Sequence, residues 1–319
     1  MTSVDAVRPS VWPPGMVTGI LAGLGAGAFW GMTFIAPLMV EGFSSVDFTV
    51  GRFVACGLFS VLLLAMGHVH RAAGGPVPRV PTLRQAGAAL GLSVLGYTGY
   101  YLLLVLAIAD AGAALPVLII GTIPLWVMVL GKPHALRWSA LVPGLLLTGL
   151  GMLLMMRVTG DTAADAGGAH LWRGILYAVG AMASWTAFGL LNAAWLRRHP
   201  EVNSTDWANW LGVAAGVGAL GLWALWGSGW AGMTAQPGVW RFVAVCAVTG
   251  IGSAWVAAVL WNMASRRLSP SLAGQLIVSE TVFGLLYTFV WSGHWPAPLQ
   301  WAACVLFLLG ILASINAHR

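Results

Sequence analysis

Near the middle of AGQLIVSETVFGLLYTFVW, residues 273–291, a single carboxylate, Glu280, interrupts an otherwise almost wholly apolar run. Ser279 and Thr281 flank it, and Gln275 lies about one turn earlier. Such a group can serve as a substrate or proton site in a wet cavity. It can equally be a neutral hydrogen-bonder between helices. In LGYTGYYLLL, residues 95–104, Tyr97 and Tyr101 are four apart and are expected to share a helix face. Phenolic hydroxyls in an apolar solvent need a partner or water. The pair therefore either lines a cavity, offering aromatic contact to a ligand, or anchors a helix end at an interface. Ser253 and Asn262 are polar residues at depth in a later run, and Trp30 and Trp185 are tryptophans far from any run end. Each tryptophan is either lipid-facing filler or cavity lining.

Other constellations are missing from the sequence. It contains no P-loop, no His/Glu/Asp cluster of a membrane metalloprotease and no Ser with a His or Lys partner at depth. The cysteines, Cys56, Cys246 and Cys304, show no CxxC spacing and fall inside apolar runs, as small core residues do. No catalytic residue, metal or cofactor is expected.

The elements that hold these residues follow from the solvent. Of 319 residues, 59% are hydrophobic and 8% charged, where soluble domains carry roughly 25% charge. The apolar residues come in runs of about 20, the length that crosses a ~30 Å hydrocarbon core at 1.5 Å per helical residue. The runs do not alternate as barrel strands would. The expected fold is an all-α membrane protein with ten transmembrane helices, at roughly 16–40, 46–67, 84–108, 112–131, 138–157, 171–196, 205–228, 239–264, 271–293 and 297–316. Glu280 then lies about 14 Å deep, near the midplane, where an ionised side chain costs roughly 2.5–3.5 kcal/mol on insertion scales. Pro116 and Pro124 interrupt the fourth run, and a bent helix near the midplane is either a packing kink or a substrate contact.

Charge gives an orientation. With the N-terminus inside, the inner segments collect Arg8, Arg71, Arg79, Arg84, Lys132, Arg137, Arg197, Arg198, Arg266, Arg267 and Arg319, eleven of the fifteen Lys and Arg. Cytoplasmic loops are the ones that gather these residues, so both termini are expected to be cytoplasmic. The scatter of basic residues over separate loops explains the net charge of +6 without a nucleic-acid partner. Residues 1–15 carry one Arg and three prolines before a run too long for a signal core, so the first span is expected to stay in the protein.

The chain divides at TGDTAADAGGAH, residues 159–170. The expected organisation is a cytoplasmic tail at 1–15, a first repeat at 16–157, an extracytoplasmic linker at 158–170 and a second repeat at 171–316. Five spans on each side force the halves into opposite orientations, an inverted repeat. GAFWGMTF, residues 27–34, echoes AMASWTAFG, residues 181–189, pairing Trp30 with Trp185. Residues 107–124 align without gaps to 264–281, which sets Glu280 opposite Ile123, so the carboxylate has no twin. Gly19, Gly23, Gly27 and Gly31 form a small-residue stripe on the first span, for static packing or for a surface on which gating helices slide.

Ten spans in opposed halves, Trp30–Gly31 and Phe34 in the first span, Arg52 early in the second and Pro124 in the fourth resemble the drug/metabolite transporter superfamily. Within it the chain is most similar to EamA-type bacterial exporters and, among these, to the YddG-like amino-acid exporters. The resemblance covers residues 16–316. It implies export of amino acids, aromatic or other apolar ones foremost, across the inner membrane by alternating access. Spans 3, 4, 8 and 9 would lie near the centre, with spans 1, 2, 6 and 7 as gates. The implied site residues are Trp30, Tyr97, Tyr101, Trp185, Ser253, Asn262 and Glu280, with Gly19, Gly23, Gly27, Gly31 and Pro124 in gating or packing. The expected partners are a small-molecule substrate and the lipid bilayer, with a functional monomer as the working unit. Another metabolite or a lipophilic drug would suit the same aromatics. Proton coupling through Glu280 and facilitated diffusion both stay open, and a membrane-embedded enzyme or a scaffold are the more distant readings.

Overall fold

The computed structural model describes residues 15–40, 42–71, 79–111, 116, 119–160, 171–293 and 295–318. Among them every regular element is helical. We label the main helices α1 (Met16–Gly31), α2 (Ser45–Arg71), α3 (Leu83–Ser93, Val94–Thr98 and Gly99–Ala111 in unbroken succession), α4 (Ile123–Leu130) and α5 (Trp138–Gly160). The second half contributes α6 (Leu171–Arg198), α7 (Ser204–Trp226), α8 (Val239–Thr249, Gly250–Val256 and Ala257–Arg267), α9 (Pro270–Ser292) and α10 (Pro298–Ala317). A six-residue helix, Gly229–Thr234, precedes α8. Eight helices among the described residues are long and apolar enough to cross a membrane; α1 is a shorter apolar helix. The fourth expected span, 112–131, is seen as α4, with 112–115, 117 and 118 outside the described residues.

Local sequence sets the ends. The α-helical part of the first expected span stops at Gly31 and gives way to 3-10 turns at Met32–Phe34 and Ala36–Met39. Pro37 has no N–H to continue the ladder, and the Thr33 hydroxyl donates to the Trp30 carbonyl at 2.7 Å. Thr82 and Gln85 form a reciprocal capping box at the start of α3. Ser269 caps α9, with Pro270 in the first turn, where its missing N–H costs nothing. Pro124 occupies the same kind of position, at the start of α4 after a turn at 121–122.

The outward faces are apolar. Leu21, Leu58, Leu146, Leu176, Leu220, Leu225 and Leu312 each stand well exposed on different helices. A surface of this kind is matched to acyl chains, not to water.

The two halves interlock through corresponding elements. α2 packs most extensively on α7, α5 on α10, and α4 on α9. α1 packs on α8 as α3 packs on α6. Glycine positions show how close these approaches are and in which direction the helices run. A Cβ on Gly57 would stand 3.0 Å from the Gly216 Cα, and one on Gly216 would stand 3.1 Å from the Gly57 Cα. A Cβ on Gly144 would meet the Ser314 hydroxyl, whereas one on Gly151 would meet the Phe307 ring. As α5 ascends, α10 descends; the corresponding helices meet antiparallel.

A repeat absent from the pattern reading supports this correspondence. SSVDF at 44–48 and NSTDW at 203–207 begin α2 and α7. In each, the side chain before the helix (Ser44 or Asn203) accepts from the Asp47 or Asp206 backbone N–H and donates to that carboxylate. In this register Gly57 corresponds to Gly216, the two residues that touch. Asp47 also accepts from the Ser228 backbone N–H at 3.0 Å and from its hydroxyl, tying the start of α2 to the end of α7.

Candidate substrate site between the halves

Helices α3 and α8 correspond with a constant offset of 156 residues, and each widens into a π-type turn at the same point, Val94–Thr98 in one and Gly250–Val256 in the other. Such turns bring extra residues into a helix and re-aim the side chains beyond them, often at functional sites. Tyr97 and Ser253 lie within these two turns.

The widening separates Tyr97 from Tyr101. A shared face was expected from their spacing of four, but that spacing holds only for a regular α-helix. The Tyr97 ring meets Phe53 edge-on at 5.5 Å and Phe188 at 5.7 Å. Tyr101 instead lies near Arg52 and bonds with Thr49. It also borders a cavity of about 150 Å³ lined by Val46, Leu102, Val105, Leu106, Leu222 and Trp226.

Arg52 comes from the second turn of α2 and points inward. Its Nη2 donates to the Ser253 hydroxyl at 3.0 Å, and Ser253 passes its own proton to the Thr249 carbonyl at 2.6 Å. The guanidinium lies 5.6 Å from the Phe48 ring centre and 5.9 Å from that of Phe53, so aromatic faces hold it in place. Its Nε is buried and has no hydrogen-bond partner among the described residues.

Glu280 sits ten residues into α9, with its side chain partly accessible. The groups in its electrostatic reach, Arg52 of α2 and Tyr100 of α3, lie across the bundle, so the carboxyl faces protein and not acyl chains. Among the described residues it makes neither a hydrogen bond nor an ion pair within 4.0 Å. The backbone behind it is clamped. A Cβ on Gly27 would stand 2.0 Å from the Ser279 hydroxyl and 3.0 Å from the Glu280 nitrogen. Gly19, Gly23 and Gly31 similarly approach Leu268, Leu276 and Phe283–Gly284, so the whole glycine stripe lies along α9.

Aromatic rings continue from Arg52 through the seam. Phe53, Tyr97, Phe188, Trp185 and Trp30 follow one another at 5.5–6.0 Å between centres. Trp261 closes the group, 5.4 Å from Trp30 and 6.3 Å from Trp185. The expected counterparts Trp30 and Trp185 thus touch, as equivalent residues do near a two-fold axis. The indole N–H of Trp261, 2% exposed, has no acceptor among the described residues.

Asn262 is not brought to this cluster. Its Oδ1 accepts from Asn192 at 3.0 Å, and the Asn192 Oδ1 accepts from the Trp207 indole at 2.7 Å. This network joins α6, α7 and α8 and is fully buried. Gln275 is likewise spent between Thr148 of α5, at 2.8 Å, and Ser314 of α10, at 3.2 Å. Pro124 starts α4 beside α9 and makes no polar contact with Glu280. Sequence reasoning did not single out Tyr100, Trp261, Phe53 or Phe188. Only Tyr100 carried a signal, as the neighbour of Tyr101 in a deep YY pair.

Residues 17–157 and 172–316 each match the EamA-like transporter family. The chain belongs to the EamA-like transporter family. As an EamA-like protein it is a multi-pass membrane transporter built from two matched repeats, and the aromatic seam lies between them. It is 29% identical over 315 residues to the inner membrane protein YtfF of Escherichia coli strain K12, covering 95% of this chain and 96% of that one. A solved structure described only as a crystal structure of a protein shares the fold, with a TM-score of 0.71 at 21% identity, over 95% of this chain and 98% of that chain. The match to YtfF brings no substrate with it.

Proposed function

We propose that this transporter exports amino acids with aromatic or other apolar side chains across the bacterial inner membrane by alternating access. The observation that carries the reading is the seam itself: tryptophan, tyrosine and phenylalanine rings from both halves run together toward a mid-membrane carboxyl that no protein group neutralises at contact distance. Aromatic walls take up an apolar side chain, and a few polar groups orient its charged end. The similarity to an inner membrane protein supports the location. In this reading the glycine stripe of α1 is the smooth track along which α9 shifts between the outward and inward states.

Counterflow in proteoliposomes tests the proposal. Vesicles preloaded with an unlabelled apolar amino acid should accumulate the labelled one, and vesicles without protein should not. Failure of every amino acid in a panel, with movement of a lipophilic cation instead, would replace this reading with the drug-carrier one. Proton coupling has its own arm. If Glu280 carries the proton, an imposed pH gradient drives uptake in the wild type, and Glu280→Gln exchanges substrate without responding to the gradient. Identical gradient responses in both proteins would assign Glu280 to substrate binding alone.

A further inference from the structure

Arg52 and Glu280 are opposite charges that face each other across the seam and leave a gap. They lie in each other's electrostatic reach, yet no ion pair joins them within 4.0 Å. Each is held from behind. Ser253, Phe48 and Phe53 fix the guanidinium, and the Gly27 approach pins the α9 backbone at Glu280. The guanidinium uses Nη2 on Ser253 and keeps its Nε free among the described residues. A fork of this kind accepts a carboxylate. The Glu280 oxygens have no donor among the described residues and suit an ammonium.

We propose that Arg52 and Glu280 bind the two ends of a zwitterionic α-amino acid, with Arg52 on the carboxylate and Glu280 on the ammonium, while the side chain lies among Trp30, Trp185 and Trp261. The inference rests on the amino-acid reading above and adds the residues that recognise the two charges. Two charge-assisted hydrogen bonds and the separation of the charges within one α-amino acid span roughly 7–8 Å, which is a gap that two anchors can hold open but cannot close without a guest. Occupied, the site carries no net unpaired charge; empty, it holds two ions short of contact. That difference favours closure of the seam around cargo over closure without it.

The test is competition against labelled L-phenylalanine in proteoliposomes, using phenylalanine, phenethylamine and 3-phenylpropionate. Phenethylamine lacks the carboxylate and 3-phenylpropionate lacks the ammonium. In the wild type each analogue should compete at least about tenfold more weakly than phenylalanine, the size expected from losing a hydrogen bond to a charged group. In Arg52→Gln the advantage of phenylalanine over phenethylamine should shrink to about twofold, and its advantage over 3-phenylpropionate should survive. Glu280→Gln should show the mirror image. An analogue that competes as well as phenylalanine in the wild type overturns the two-charge site while leaving amino-acid export standing. Variants that weaken all three competitors equally overturn it too, because the residues then only position helices. If no apolar amino acid moves or competes, the proposal falls together with the export reading. The wild-type comparison needs no variant, so a poorly folding Arg52→Gln does not shield the inference; size-exclusion profiles identify that case.

Discussion

At the scale of single residues, the chemistry turns on side chains whose surroundings are fully built. Gly27 is the sharpest steric point. An added methyl collides with Ser279 and the Glu280 backbone, so Gly27→Ala should destabilise the protein by about 1–3 kcal/mol, as overpacking does, and should slow transport. Gly87 is the control, because nothing lies within 4 Å of its added Cβ. There the same substitution should be neutral or stabilising by roughly 0.5–1 kcal/mol, read as thermal unfolding in detergent. Asn192 gives a second point. Asn192→Ala leaves the Trp207 indole and Asn262 short of partners in a fully buried network, and should cost about 1–3 kcal/mol of stability. Because that network is separate from the aromatic seam, the ratio of phenylalanine to phenethylamine affinity should stay at its wild-type value.

At the scale of elements, the wide turns of α3 and α8 decide which residues meet. A π-type turn holds about one residue more than an α-turn, so removing one residue from it rotates the rest of the helix by roughly 100°. Deletion of Leu95 from the turn of α3 should therefore swing Tyr100 and Tyr101 away from Glu280 and Arg52. The protein should still reach the membrane, since α3 stays long and apolar, and counterflow should be lost. Unchanged counterflow would show that the turn is only a packing defect. These turns are also why a spacing of four misplaced Tyr97 and Tyr101. Their separate environments could not be read from a pattern that assumes 3.6 residues per turn. Arg52 was legible as an Arg early in the second run, but its partner Ser253 lies 201 residues away, and nothing local pairs them.

At the scale of the whole molecule, the arrangement follows from two halves that meet through their own counterparts. Antiparallel contact of α5 with α10 and the Gly57–Gly216 approach of α2 to α7 place corresponding helices face to face. The asymmetry of Lys and Arg then predicts both termini on the cytoplasmic side. A green fluorescent protein fused after Arg319 should fluoresce, and alkaline phosphatase fused at the same point should stay inactive; the reverse pattern would invert the topology.

The solvent, the all-helical class and the two-repeat plan came from sequence alone, because a bilayer demands long apolar runs and satisfied backbones whatever the packing. So did the correspondence of Trp30 with Trp185 and the oddity of Glu280, since both are matters of residue type and order. Tertiary structure decided the rest. It turned Arg52 inward onto Ser253, set Tyr100 toward Glu280, spent Asn262 and Gln275 on buried networks, and laid the glycine stripe of α1 along α9. Which face of a helix looks inward, and what it finds there, depends on neighbours hundreds of residues away and on single wide turns that leave almost no mark on hydropathy.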